Sequence, residues 1–220
     1  MTIYRDSQGK ALTDYPHPSV AVDTAVLAVI DGVLSVLAFA DGRDGTVRLP
    51  GTFLHEGEVL ADAVRRSLAD KAGIEGLSPV QLLVFDALDR DDRGWVLSVA
   101  HVVAVPATAV AEATMVPVTS VGSMAFDHAE ILALAVARLR DDYREHPDPW
   151  RLLGDAPFTL LKLERLHRAI DPGRSESKDT FRRLMEPQLR DMRKLERGTV
   201  GKPARLFVRA APVTTEQANR

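Results

Sequence analysis

Residues 50–74 read PGTFLHEGEVLADAVRRSLADKAGI, and no other stretch restricts the fold of this chain so much. A glycine-containing loop carries His55, Glu56 and Glu58. It runs directly into a segment whose Leu60, Val64 and Leu68 recur at helical spacing. An ordinary amphipathic helix accounts for those apolar positions. It does not account for PGTFLHEGE. A helix beginning near Glu58 brings residues three and four apart onto one face. The identities of Arg66, Ser67, Asp70 and Lys71 therefore set what chemistry that face can do.

The chain has 220 residues, enough for one large or two small domains. An apolar fraction of 45% supports a sizeable core, and 27% charged residues favour solubility. With no cysteine there is neither a disulfide nor a thiolate metal site. The six histidines show no zinc-like spacing. There is no basic-then-apolar leader and no apolar run long enough to span a bilayer, so a cytoplasmic protein without membrane contact is expected. The net charge of −3 hides an asymmetry. Residues 1–150 carry 12 Lys and Arg against 22 Asp and Glu, whereas residues 151–220 carry 16 against 9. Such a split suggests two domains with different partners. The acidic part should repel nucleic acid and the basic part is suited to bind it. Charge scattered at random over one domain is the alternative.

The pattern along the chain fits that division. Val20–Ile30 is rich in β-branched residues and meets Asp31-Gly32, a hairpin signal, before Val33–Phe39 returns. Asp41–Thr46 reads as a polar loop. Val80–Leu88 and Trp95–Val105 read as strands joined by DRDDRG, and a long helix over about Asp127–His146 has Ile131, Leu134, Ala135 and Leu139 at helical spacing. Asp127 is a candidate to favour that helix's N-terminal dipole. HPDPW at 146–150 breaks it and marks a boundary. Thr159 is an N-cap candidate for a helix to about Ile170, with Leu160, Leu163, Leu166 and Ile170 inward. A second helix near Ser177–Glu186 has Phe181, Leu184 and Met185 inward. Lys178, Arg182 and Arg183 lie on its outer face. A basic hairpin, Leu189–Glu196 and Arg205–Val208, closes over RGTVGKP. Helix, turn, helix and hairpin outline a winged helix at 151–212. Residues 213–220 read as a disordered tail.

Taken in order, HPSVAVDTAVL, the 50–74 segment, DRDDRGWVLSVAHVVAVP, MAFDHAEIL, FTLLKLERLHRAI, DTFRRLM and GKPARLF resemble the Nudix-related transcriptional regulators, the NrtR family. The resemblance covers nearly the whole chain. It implies a Nudix-like α/β/α sandwich with a mixed sheet at 1–150, followed by the winged helix. It also implies a homodimer that binds a double-stranded DNA operator, with an ADP-ribose-like nucleotide as effector and NAD metabolism as a frequent regulatory target. Against the Nudix box itself, Glu58, Arg66, Leu68, Gly73 and Ile74 match. Ser67, Asp70 and Lys71 replace the three later glutamates, and Thr52 replaces the opening glycine. Magnesium needs hard oxygen ligands to activate water on a diphosphate. A fixed ammonium about 4 Å from a cation instead costs about 1–4 kcal/mol, depending on dielectric. No catalytic residue, metal or cofactor is therefore assigned.

The ligand-binding candidates are Arg48, Phe53, His55, Glu56, Glu58, Arg90 and Arg93. For Arg90 and Arg93, pairing with the neighbouring aspartates is an equal alternative, and Arg66 is expected to partner Glu58. The DNA-binding candidates are Lys178, Thr180, Arg182 and Arg183 on the second helix, with Lys202 and Arg205 in the hairpin. Arginine can bond guanine O6 and N7 together, whereas hairpin cations hold phosphate. A ligand-responsive repressor is the leading reading. A weak Nudix hydrolase with an accessory C-terminal domain, and a constitutive DNA-binding protein, are the competitors.

Overall fold

Period-two alternation builds the centre of the molecule. The structure is a computed structural model and describes residues 4–42, 45–110, 113–196 and 203–210. Strand β1 (Ser19–Ile30) sends Ala25 and Leu27 to one face and Val22, Val26 and Ala28 to the other, all fully buried. It turns at Asp31 and Gly32, φ 50° and 79°, into β2 (Val33–Leu37). Both central residues have positive φ, as a type I′ hairpin requires. The remaining elements before the long helix are β3 (Phe39–Ala40), β4 (Val47–Arg48), β5 (Gly51–Phe53), α1 (Leu60–Ala72), β6 (Val80–Phe85), β7 (Val96–Ala104) and β8 (Met115–Pro117). The main sheet runs β6-β7-β1-β2-β8, with β5 also on β1. The β1–β7 pair is parallel and the other pairs are antiparallel, so the sheet is mixed. The short strands β3, β4, β5 and β8 fall where the sequence reads as loop.

Helix α1 covers one face through Ala63, Val64 and Leu68. Helix α2 (His128–Glu145) covers the other through Ile131, Ala135, Leu139 and Tyr143. The α/β/α sandwich follows from these two apolar faces meeting a two-faced sheet. Leu134 departs from the expected pattern. It is exposed, and Leu132 and Val136 take the inward places, because the helix turns a face one residue removed toward the sheet. Helix α1 starts at Leu60 rather than near Glu58, and Gly73 ends it at φ 63°, a left-handed C-cap.

The C-terminal elements are α3 (Leu160–Ile170), α4 (Lys178–Met185), β9 (Leu189–Leu195) and β10 (Arg205–Arg209). Thr159 caps α3 by accepting from the Lys162 N–H at 3.2 Å, as its position implies. Ser177 caps α4 in the same way. Phe158, Leu163, Phe181, Met185 and Phe207 form a separate small core. Fully burying each such side chain contributes about 1.5–3 kcal/mol. Leu184 lies outside it and is exposed, since an eight-residue helix on this support buries only Phe181 and Met185. Phe158 also pairs backbone to backbone with Phe207, adding a bridge beside the β9–β10 hairpin. Leu166 and Ile170 of α3 face the other way and join the core beneath α2. The two parts thus share a helix.

Buried polar groups fasten the joint. Asp148 is 1% exposed. It accepts from the Tyr143 hydroxyl at 2.5 Å and from the N–H groups of Leu152 and Leu153 at 2.9 and 3.1 Å, and it pairs with Arg209 of β10. His167 donates from Nε2 to the Pro147 carbonyl at 2.6 Å and accepts at Nδ1 from Arg174 at 3.1 Å. Burial, aided by the Arg174 charge, pulls the His167 imidazolium down to about 4 despite the carbonyl bond.

Two outcomes follow. Asp148→Ala strands Arg209 and the Tyr143 hydroxyl, and should cost about 3–5 kcal/mol in denaturant unfolding. His167 takes its proton more readily in the unfolded chain, near 6.5, than in the folded one, near 4. Its contribution is therefore complete above pH 6.5 and fades as pH falls toward 4, by about 3 kcal/mol. Comparing urea unfolding of the natural chain and His167→Gln across that window should show the variant losing less stability.

Candidate functional site

A cleft of about 260 Å³ opens where β1, β5, the end of α1 and the loops before β7 and α2 converge. Its floor is Asp23 of β1, 7% exposed. Asp23 accepts from Ser98 Oγ at 2.5 Å and lies 3.3 Å from His128 Nε2 and 3.6 Å from Arg90. The Leu49 N–H donates to His128 Nδ1 at 3.0 Å, so Nε2 carries the ring proton toward Asp23. Burial alone would raise the Asp23 carboxyl. The His128 bond and charge, Ser98 and Arg90 together outweigh it and hold the acid below its ordinary value. Asp23 faces Gly51 across the β1–β5 pair. A Cβ on Gly51 would stand 1.9 Å from Asp23 Oδ1, so only glycine fits.

The walls are cationic and aromatic. Arg48, Phe53, Arg90 and Arg93 all line the cleft, together with Lys71 and Phe126. Arg90 is deeply buried and bidentate to Asp127 at 2.7 and 2.8 Å. Asp127 thereby serves Arg90 and makes no side-chain cap on α2. Arg93 holds Asp91 at 2.6 Å and keeps its carboxyl down at about 2. The Arg93 guanidinium also lies 5.2 and 5.4 Å from the ring centres of Phe53 and Phe126, within cation–π range. Arg90 and Arg93 therefore do both things considered from sequence: they pair with aspartates and they border the cleft. Lys71 donates to the Gly51 carbonyl. Burial, then the Arg48 charge, lowers its ammonium below the ordinary lysine value.

His55, Glu56 and Glu58 are not part of this lining. His55 and Glu56 are exposed on their loop. Glu58 is taken by Arg66 at 2.7 and 2.9 Å and by the His55 N–H, which hold its carboxyl at about 2. Arg66 also reaches Thr52 Oγ and the Phe53 carbonyl, stapling the loop to α1 as an internal partner. The residues do not fit a divalent cation. Ser67 is buried with its hydroxyl unpartnered, Asp70 is exposed, Glu58 is occupied, and an ammonium stands at the Lys71 place. Among the described residues, no group of three or more His, Asp and Glu side chains is arranged to hold a metal. Sequence reading missed Asp23, Lys71 and His128 as cleft residues. Their signals were an acid inside an apolar strand and a lysine at an acidic box position.

At the other end, Arg182 and Arg183 are exposed on α4, with Lys178 beside them. Thr180 is partly covered and bonds Ser177 Oγ and Arg183. Phe181 is core, edge-on to His167 at 4.9 Å. Glu186 joins the helix to the hairpin, pairing at 2.5 Å with both Arg182 and Arg205, and Arg205 also meets Asp191 at 3.0 Å. Lys202 and the 213–220 tail lie outside the described residues.

The fold is that of a Nudix-type sandwich followed by two helices and a hairpin. In sequence and in structure the chain is similar, over most of its length, to Nudix-related transcriptional regulators. No family model matches it. It is 29% identical over 188 residues to the ADPR responsive transcriptional repressor NtrR of Acinetobacter baylyi, covering 79% of this chain and 74% of that one. It is 29% identical over 124 residues to an ADP-ribose pyrophosphatase of Methanocaldococcus jannaschii, covering 54% of this chain and 73% of that one. Shewanella oneidensis NrtR complexed with a 27mer DNA superposes with a TM-score of 0.72 at 26% identity, over 87% of this chain and 93% of that one. The NUDIX domain of that protein, complexed with ADP ribose, gives 0.52 at 25% identity, over 60% and 95%.

Replacing Gly51 with alanine should push Asp23 off Ser98 and His128. The expected result is a clear drop in melting temperature, with Thr52→Ala, one residue along, close to the natural chain in the same thermal scan.

Proposed function

We propose that this protein is a DNA-binding transcriptional repressor whose release from DNA is set by a nucleotide of the ADP-ribose class. Residues 1–150 form the sensing and dimerising part and residues 151–212 the winged-helix reader. The observation that carries the reading is the pairing of two features in one chain. A cation-lined cleft includes Lys71, which replaces a glutamate of the Nudix box, and two exposed arginines on α4 are presented beside a hairpin. The similarity to a regulator whose structure was solved with duplex DNA spans both parts. Lys178, Thr180, Arg182 and Arg183 are assigned to the major groove. Lys202 and Arg205 are assigned to backbone phosphate. A homodimer places two readers on successive grooves of a palindromic operator. The effector acts by favouring one arrangement of the two readers over the other.

The sandwich is read as a sensor without hydrolytic activity. The pyrophosphatase relative favours the competing reading over about half the chain. Turnover of ADP-ribose in magnesium, abolished by Glu58→Ala, would establish that reading in place of this one.

The direct test is fluorescence anisotropy with a duplex taken from upstream of the protein's own gene. Binding should weaken steeply with salt, by roughly a thousandfold between 50 and 200 mM if six or more phosphates are contacted. Arg182→Ala with Arg183→Ala should cost a further factor of roughly 30 or more, since each bidentate base contact is worth about 1–3 kcal/mol. ADP-ribose should release the duplex. Salt-insensitive or absent duplex binding counts against the reading.

A further inference from the structure

We propose that the cleft holds the phosphates of its ligand directly on the Lys71 ammonium, with Arg48 beside it and no divalent cation between protein and phosphate. The proposal rests on the nucleotide reading above and adds the recognition chemistry. Lys71 stands where the Nudix pattern has a glutamate, and the fold places it on the cleft wall, still open to solvent and so to a ligand. Its Nζ donates to the carbonyl of Gly51, a backbone oxygen at the cleft edge. An ammonium has three N–H donors and no acceptor, so two remain after that bond. Among the described residues Lys71 makes no other hydrogen bond and no ion pair with a carboxylate. The carboxylates that also line the cleft are engaged elsewhere, Asp23 by Ser98 and His128 and Asp91 by Arg93. Lys71 therefore has donors to spare, whereas the acids around it are already paired with hydrogen-bond donors and cations of the chain.

The rest of the site points the same way. Arg48 is half exposed and lies 3.4 Å from Asp41, a contact on the rim that leaves other guanidinium donors. Arg93 adds another partly exposed cation to the cleft lining. The cleft thus offers positive charge from Lys71, Arg48 and Arg93. A hydrated divalent cation would meet the same charges with the wrong sign. The glutamate-to-lysine replacement accordingly does more than remove a metal ligand. It supplies within the chain the charge that a bound metal would otherwise bring to a diphosphate.

The experiment is isothermal titration of the full-length protein with ADP-ribose, in excess EDTA and again in magnesium. The affinity should be the same in both. Lys71→Met should weaken it at least roughly tenfold in both buffers, the scale of one charge-assisted hydrogen bond, with the melting temperature of the free protein unchanged. Lys71→Glu should bind poorly in both buffers, because one added carboxylate does not rebuild the cage that Ser67, Asp70 and the Arg66-bound Glu58 leave incomplete, and binding by it as tight as that of the natural chain also overturns the proposal. Binding by the natural chain that requires magnesium, or a Lys71→Met variant that binds as tightly as the natural chain, overturns the proposal. If ADP-ribose binds in neither buffer, the nucleotide reading fails instead. Inorganic pyrophosphate then decides the Lys71 site by itself. Thermal protection in EDTA that Lys71→Met removes retains it for another phosphate ligand, and no protection overturns it.

Discussion

A carboxylate in the middle of the sheet organises the N-terminal sandwich. Asp23 sits on the central strand, flanked by apolar neighbours, and a lone charge there would be costly. It is tolerated because Ser98, His128 and Arg90 reach it from three separate segments. Those contacts fix β7, the start of α2 and the turn before β7 relative to one another. Arg90 is then held in place to bind Asp127, and Gly51 must stay bare to pass over the acid. Arg90, His128 and Gly51 of the cleft are placed by that one buried charge.

Much of this was legible in the residues. The Asp31-Gly32 turn, the Thr159 cap, the box helix and the Arg66–Glu58 pair each depend on local chemistry, and each lies where spacing put it. The short strands β3, β4, β5 and β8 were not legible, because two or three residues carry no period. Leu134 and Leu184 were misplaced because an apolar residue on a helix does not reveal which way the helix is rolled, and only the facing surface decides that. The cleft was half visible. Arg48, Phe53, Arg90 and Arg93 were named from their loops, whereas Asp23, Lys71 and His128 meet only through pairings of strands distant in sequence. His55 and Glu56 were chosen for nearness along the chain, and Glu58 for its match to a pattern whose meaning changed with its partners.

The same contrast holds between the two ends. The C-terminal part presents its arginines on an exposed helix, yet Arg182 and Arg205 already share Glu186. An exposed ion pair of this kind contributes little to stability. Its effect is geometric, since it ties helix to hairpin. In the cleft the charges are partly buried and their orientation is set by the fold. On α4 they are solvated.

Helix α3 has a dual allegiance. Leu163 belongs to the reader's small core, while Leu166 and Ile170, less than a turn and two turns further on, belong to the core beneath α2. A polypeptide stopped at Trp150 would leave that greasy seam open to water and to other copies of itself. The border that charge and proline mark in the sequence is therefore not a line along which the protein comes apart. The two parts are joined by solid packing through α3 and not by a tether.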